Sequence, residues 1–255
     1  MRRGPALALL LSGLLVPHLR AQEASELPHA INLPTADHLA GWDIGFLLTH
    51  RFVVPAKGNS KDLYGLDEHA NAGFGFQFGI QAVPGLNTQI YRTSDHKTLM
   101  LSLQERVLAT NQWRVAVRAG RFDETVEDGL QGGFLQVPVD WQCLETLALS
   151  LVPTYLTRTA TAEGVLTAGL GLRWAATEHQ GLLAEFYPRP SKVPEGFEQG
   201  WALGYQYRTR GHRFTLVATN VPGATPHQVL GGDYGGVGPR PSQYWSLAFN
   251  IVRLF

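Results

Sequence analysis

Apolar and polar positions alternate with a period of two along nearly the whole chain from residue 41 to residue 255. Residues 73–81 are the cleanest case: Phe74, Phe76, Phe78 and Ile80 share one parity, and Gly and Gln alone occupy the other. A β-strand sends successive side chains to opposite faces, so this segment carries one greasy face and one small polar face; a helix would mix the two sets. In 41–53 the apolar parity is Trp42, Ile44, Phe46, Leu48 and Phe52, with His50 as its one polar member, and Asp43, Gly45, Leu47, Thr49 and Arg51 face the other way. The same alternation predicts about twelve strands, at 41–53, 71–83, 85–93, 97–109, 112–120, 131–140, 144–158, 164–176, 179–187, 200–209, 212–220 and 243–255.

The connections between these segments differ by parity. Odd-numbered ones are mostly long, 54–70, 94–96, 121–130, 159–163, 188–199 and 221–242, whereas even-numbered ones are tight, such as Thr110-Asn111, Thr177-Glu178 and Arg210-Gly211. Alternation with long loops on one rim and short turns on the other predicts an all-β fold: a transmembrane antiparallel β-barrel with long extracellular loops and short periplasmic turns. Strand direction then gathers Trp42, Trp113, Trp141, Trp174 and Phe255 near the short-turn rim, and Trp201 and Trp245 near the long-loop rim. Amphipathic rings sit best at headgroup depth, so these are the expected interface girdles. A soluble periplasmic sandwich also alternates, but its outer face would be charged and its Trp residues would be in a core; here the second face is mostly Gly, Ala, Thr, Gln and Arg.

The ends of the chain fit export to that membrane. Arg2 and Arg3 precede an apolar run from Ala6 to Val16, broken by Pro17, with a small residue before a cut after Ala21 or, as a second choice, after Ala24. This is the pattern of a cleaved secretory signal peptide and is too short for a spanning helix. The expected organisation is a signal peptide at 1–21, a polar, Pro-containing periplasmic lead-in at 22–40 and a barrel at 41–255, placed in the outer membrane of a Gram-negative-type bacterium. The last strand ends on Phe255, with Trp245, Leu247, Phe249 and Ile251 on the same face. It resembles the signal read by the outer-membrane barrel-assembly machinery, which with outer-membrane lipid is an expected partner. Arg253 interrupts that face near the rim, where a basic side chain can snorkel.

Several ordered fragments resemble an uncharacterised outer-membrane β-barrel family, domain-of-unknown-function family 5777. They are His50-Arg51-Phe52, Tyr64-Gly65-Leu66-Asp67 with Asn71, Leu151 with Pro153-Thr154-Tyr155, Gly169-Leu170-Gly171-Leu172-Arg173, Ala184-Glu185-Phe186-Tyr187, Gly211-His212-Arg213-Phe214 with Asn220, and Phe249-Asn250-Ile251 through Arg253 to Phe255. Val53 stands where the family has Gly. The resemblance implies a barrel and outer-membrane placement, and no particular activity.

Charge narrows the function. The chain has 21 basic and 21 acidic residues, and the leader takes Arg2, Arg3 and Arg20 and no acid, leaving 18 against 21. That balance argues against nucleic acid as a partner. Gly is 28 of 255 residues, above the usual ~7%, and suits a crowded interior face. That face holds Arg51, Arg106, Arg114, Arg118, Arg158, Arg173, Arg208 and Arg213 against Asp43, Asp140 and Glu185. Guanidinium groups suit oxyanions, so one reading is a small-solute pore or transport-associated barrel with an Arg-rich, anion-favouring lumen. The alternative is a filled, non-conducting barrel in which these charges pair internally and the extracellular loops scaffold or bind a partner.

A lipid-acting enzyme centred on His50 needs a placed nucleophile or second acid, and none is evident. No catalytic residue and no cofactor is therefore assigned. Asp67-Glu68-His69 with Asp95 or His96 matches no metal-ligand spacing, so no metal is expected either. Pro138 and Pro153 lie within neighbouring strands, where a bulge, a shifted boundary or a weak seam in the wall would accommodate them. Cys143 is the only cysteine, which excludes an internal disulfide. The Gly-rich loop 221–242 lacks the strand-loop-helix context and Lys of a phosphate loop and reads as an extracellular lid or an inward plug.

Overall fold

A computed structural model describes residues 26–56, 66, 69–192, 198–232 and 244–255. The signal peptide, Asp67, Glu68 and the glycines of 233–240 lie outside the described residues. Among the described residues thirteen strands follow in chain order: β1 (Ile44–Phe52), β2 (Ala70–Gly79), β3 (Leu86–Thr93), β4 (Thr98–Ala109), β5 (Trp113–Glu124), β6 (Gln131–Gln136), β7 (Val139–Leu144), β8 (Leu147–Arg158), β9 (Glu163–Ala175), β10 (Gln180–Tyr187), β11 (Gly200–Arg208), β12 (His212–Thr219) and β13 (Ser246–Leu254). Every described pairing is antiparallel, and β13 returns to β1 with Gly45 opposite Leu254, which closes the barrel.

Thirteen strands fill twelve positions in the wall. β6 and β7 both lie between β5 and β8, as two halves of the one strand expected at 131–140. The break falls at Val137-Pro138. Pro138 has no N–H to give the ladder, and Pro153 on β8 faces the same gap with none either. Val137 N–H still reaches the Pro153 carbonyl at 3.0 Å, and Ala116 N–H the Pro138 carbonyl at 2.9 Å. The two prolines therefore share one interruption. β2 stops at Gly79, short of the expected 83, because Ile80–Val83 closes a turn through Val83 N–H to the Ile80 carbonyl.

Side-chain burial follows the alternation but with the apolar face outward. Phe74, Phe76 and Phe78 are exposed, while Asn71 and Gln77 on the opposite face of β2 are buried. The girdle residues lie on the outer surface or its rim: Trp42, Trp113, Trp141, Trp174, Trp245 and Phe255 are exposed and Trp201 is half-buried. Trp113 and Trp141 stack with ring centres 5.6 Å apart across paired β5 and β7. This is the inverse of a water-soluble core and the pattern of a wall solvated by lipid.

The interior is occupied. Residues 26–40, expected as a lead-in on the periplasmic side, instead run inside the barrel, with Leu27, Ile31, Leu33, Ala36 and Leu39 buried. A side chain at Gly45 would collide with Leu27, and one at Gly169 with Leu33, so these two positions on the wall must stay bare for the segment to lie against it. From the long-loop rim, residues 220–232 also fold inward and contain a short helix, α1 (Pro226–Leu230). The two insertions meet: Leu33 packs with Val152, Tyr187, Val221, Val229 and Leu230. The loop 221–242 is thus, over its described part, an inward plug.

Candidate functional site in the lumen

An irregular segment inside a barrel has no ladder of its own, so each buried backbone group must find a partner. The wall supplies them from side chains that strand alternation aims inward. The Glu185 carboxylate on β10 accepts the N–H groups of Ile31, Asn32 and Leu33 at 2.8, 2.9 and 3.2 Å. The Tyr187 hydroxyl donates to the same carboxylate and accepts from Asn32 Nδ2 at 2.9 Å. Arg51 on β1, fully buried, donates to Asn32 Oδ1 at 2.8 Å and to Asn250 Oδ1 at 2.7 Å. Asn250 Nδ2 in turn donates to the Ile31 carbonyl at 2.8 Å. Arg51, Glu185, Tyr187 and Asn250, drawn from three of the fragments that carry the family resemblance, thus converge on one turn of the N-terminal segment.

A second cluster grips the segment further along. Asp37 presents one carboxylate oxygen to Arg114 on β5 at 2.7 Å and the other to Arg173 on β9 at 2.8 Å. Arg173 also meets Asp140 on β7 at 3.2 Å. Asp140 accepts the Ala36 N–H at 2.8 Å and the Ser150 hydroxyl. Gln104 Nε2 donates to the Thr35 and Asp37 carbonyls at 2.8 and 3.1 Å, and Asn87 exchanges two hydrogen bonds with the Leu39 backbone. Burial opposes ionisation of Asp37, but Arg173 and then Arg114 outweigh it and hold the carboxyl well below the usual carboxylate range. His29, in the same segment, is held neutral with a pKa of about 3, first by burial and then by the nearby Arg118 and Arg51 charges.

The remaining lumen candidates divide by position. Arg118 is buried and bonded to Gln89, Gln136 and Ser102, with its guanidinium 5.3 Å from the centre of the Phe134 ring. Arg208 donates to Gln206 at 2.6 Å, and Arg213 approaches Glu26 to 3.8 Å near the short-turn rim. Arg106 and Asp43 are half-buried near that rim. Arg158 ends β8 at the other rim and is exposed beside an even more exposed Glu163, outside the buried lumen. The candidates therefore do not form one site: Arg114, Arg173 and Asp140 meet in one cluster, Arg51 and Glu185 in another.

The long-loop rim holds a constellation that sequence reasoning missed. Glu124 at the end of β5 accepts from His227 of α1 at 3.1 Å and bonds His96, in the short loop before β4, at 3.2 Å. His227 is fully buried, stacks on Phe122 at 3.8 Å, and contacts the Thr225 hydroxyl at 3.2 Å. No local motif links residues 96, 124 and 227, and the one signal in the sequence is the single histidine of the Gly-rich loop 221–242. His50 packs between Phe52 and Phe249 on the outer face, with its Nδ1 unpartnered, and His212 accepts from Arg253 at 2.8 Å on the opposite rim. Among the described residues, no three His, Cys, Asp or Glu side chains are grouped to hold a metal ion.

An inside-out barrel of twelve wall positions, with buried charge inside and aromatic rims, defines a membrane β-barrel with a filled lumen. The chain belongs to the membrane-bound β-barrel domain family 5777, whose model matches residues 28–125 and 133–255. No curated protein matches its sequence. Among solved structures it is similar to the NanC porin, at 8% identity over 84% of this chain and 98% of that one, with a TM-score of 0.48. It is also similar to the outer-membrane phospholipase A of Escherichia coli, at 12% identity over 83% and 89% of the two chains, with a TM-score of 0.46.

Proposed function

We propose that this protein is an outer-membrane β-barrel closed at rest, reached by export with a cleaved signal peptide and by assembly through the strand that ends at Phe255. Its outward work is then done by what its long-loop rim binds. The observation that carries this reading is the meeting of the two insertions at Leu33, Val229 and Leu230 inside the wall. Arg51, Arg114, Arg118 and Arg173 already hold carboxylates, amides and carbonyl oxygens, so their charges are engaged inside the lumen rather than free to draw ions through it.

Single-channel recording of the mature protein in a planar bilayer tests this. The wild type is expected to be silent, and stable openings from it would overturn the closed reading. The Arg-lined wall supports a second reading, in which release of the N-terminal segment uncovers an anion-favouring path; a variant that frees the segment would then conduct anions over cations.

A further inference from the structure

Asp37 is not part of the wall, yet the wall is arranged around its carboxylate. Arg114, Asp140, Ser150 and Gly171 lie directly across one another on four neighbouring wall positions, β5, β7, β8 and β9. Arg173, two residues beyond Gly171 on the same inward face, leans back toward this row. Gly171 leaves the row open, because a side chain there would press on Ser150. Two guanidinium groups thus converge on one point, and each takes a different oxygen of the same carboxylate. Asp140 offsets only one of the two positive charges, and its second oxygen is committed to Ser150. Without Asp37 the wall would keep a net positive pair with donors spaced for a carboxylate. Asp140 still pairs with Arg173, so the charge left without a counter-ion is that of the half-buried Arg114, and a partly desolvated cation beside a second guanidinium calls for an anion.

We infer that Arg114 and Arg173 form a carboxylate-binding site of the lumen, occupied in this structure by Asp37 of the chain's own N-terminal segment. A solute bearing a carboxylate competes for it when the segment moves. Thr35 completes the internal ligand: its hydroxyl donates to Asp37 at 2.8 Å, and Gln104 holds the carbonyls of Thr35 and of Asp37 itself. The segment is therefore presented as a tethered ligand, its carboxylate forward and its backbone fixed behind. This deepens the closed-barrel reading by naming the chemistry that the plug stands in for.

The test uses the full mature chain folded in detergent, with Asp37→Ala leaving a gap the size of a carboxylate. Thermal unfolding is followed in sodium acetate and in sodium chloride at equal ionic strength. In chloride, Asp37→Ala is expected to melt below wild type. In acetate it should recover with a saturating concentration dependence, while wild type and the double variant Asp37→Ala/Arg173→Gln do not respond. An Asp37→Ala protein that treats acetate and chloride alike, or a double variant that recovers as fully, overturns the site. If Asp37→Ala does not fold in chloride, the same comparison is read as folded yield; acetate is expected to restore it, and no restoration overturns the proposal. A conducting wild type with intact acetate rescue would remove the closed-barrel reading and leave the site standing. A silent wild type without rescue would do the reverse.

Discussion

The two insertions that fill the lumen are held by different physics. The N-terminal segment 26–40 is fastened along its backbone: Glu185, Asp140, Gln104, Asn87 and Asn250 take its N–H and carbonyl groups one by one, and Asp37 adds a doubly paired carboxylate. The loop 220–232 is fastened at points: Val221, Val229 and Leu230 enter an apolar contact, and His227 ties α1 to Glu124. α1 satisfies part of its own backbone internally, through Val229 N–H to Thr225 and Gly231 N–H to His227, so it asks less of the wall. A segment without secondary structure needs a wall built to match it, whereas a helical turn needs only a place to rest.

This difference can be broken most forcefully at Glu185. Glu185→Ala strands three buried N–H donors, and at ~1–3 kcal/mol for each buried unsatisfied group the loss is roughly 3 kcal/mol or more. Limited proteolysis should then cut within 26–40 while residues 220–232 stay protected; protection of both would mean that the backbone clamp is dispensable. Leu33→Ala removes the shared contact and is expected to cost about 2–3 kcal/mol. It should loosen both insertions together, as read by hydrogen exchange on each.

Glu124→Gln weakens the charge-assisted bonds to His227 and His96, an effect of about 1–2 kcal/mol. It should release the loop alone; release of the N-terminal segment as well would show that the two insertions dock as one unit. A pH change acts on the other insertion. The folded-state pKa of His29 is depressed to about 3 from 6.5, so its contribution is complete above about pH 6.5 and is lost as pH falls towards the folded value. Moving from pH 7.5 to 5.5 should weaken docking of the N-terminal segment by about 1.4 kcal/mol, an effect that His29→Gln should abolish. A pH response of equal size in His29→Gln would assign it elsewhere. The smallest perturbation tests the wall itself: cysteine at Phe76 should react with lipid-phase reagents and cysteine at Gln77 with neither phase while the plug is docked. Equal labelling at both would contradict the two-faced strand.

The period-two pattern was sufficient for the wall because it records the solvent on each side of every strand. Phe74, Phe76 and Phe78 demand an apolar surround and Gln77 a polar one, and one geometry meets both. The inward placement of Arg51, Arg114, Arg118, Arg173, Asp140 and Glu185 was legible for the same reason. What these charges meet was not. Residues 22–40 read as polar and Pro-containing, and nothing in their pattern shows that their backbone groups are satisfied by side chains some 150 positions away, as Ile31 is by Glu185. Pro138 was legible as an anomaly, but its pairing with Pro153 across one gap needed the register of β6, β7 and β8.

By itself, then, the sequence determined the alternation, the twelve positions of the wall, the outward apolar face and most of the inward charges, Arg158 excepted, because each depends on chain neighbours and on the solvent facing them. The tertiary structure alone decided that the lumen is filled, that Asp37 sits between Arg114 and Arg173, and that His96, Glu124 and His227 meet. Those contacts join residues distant along the chain, and only closing the barrel brings the wall positions that make them around a common interior.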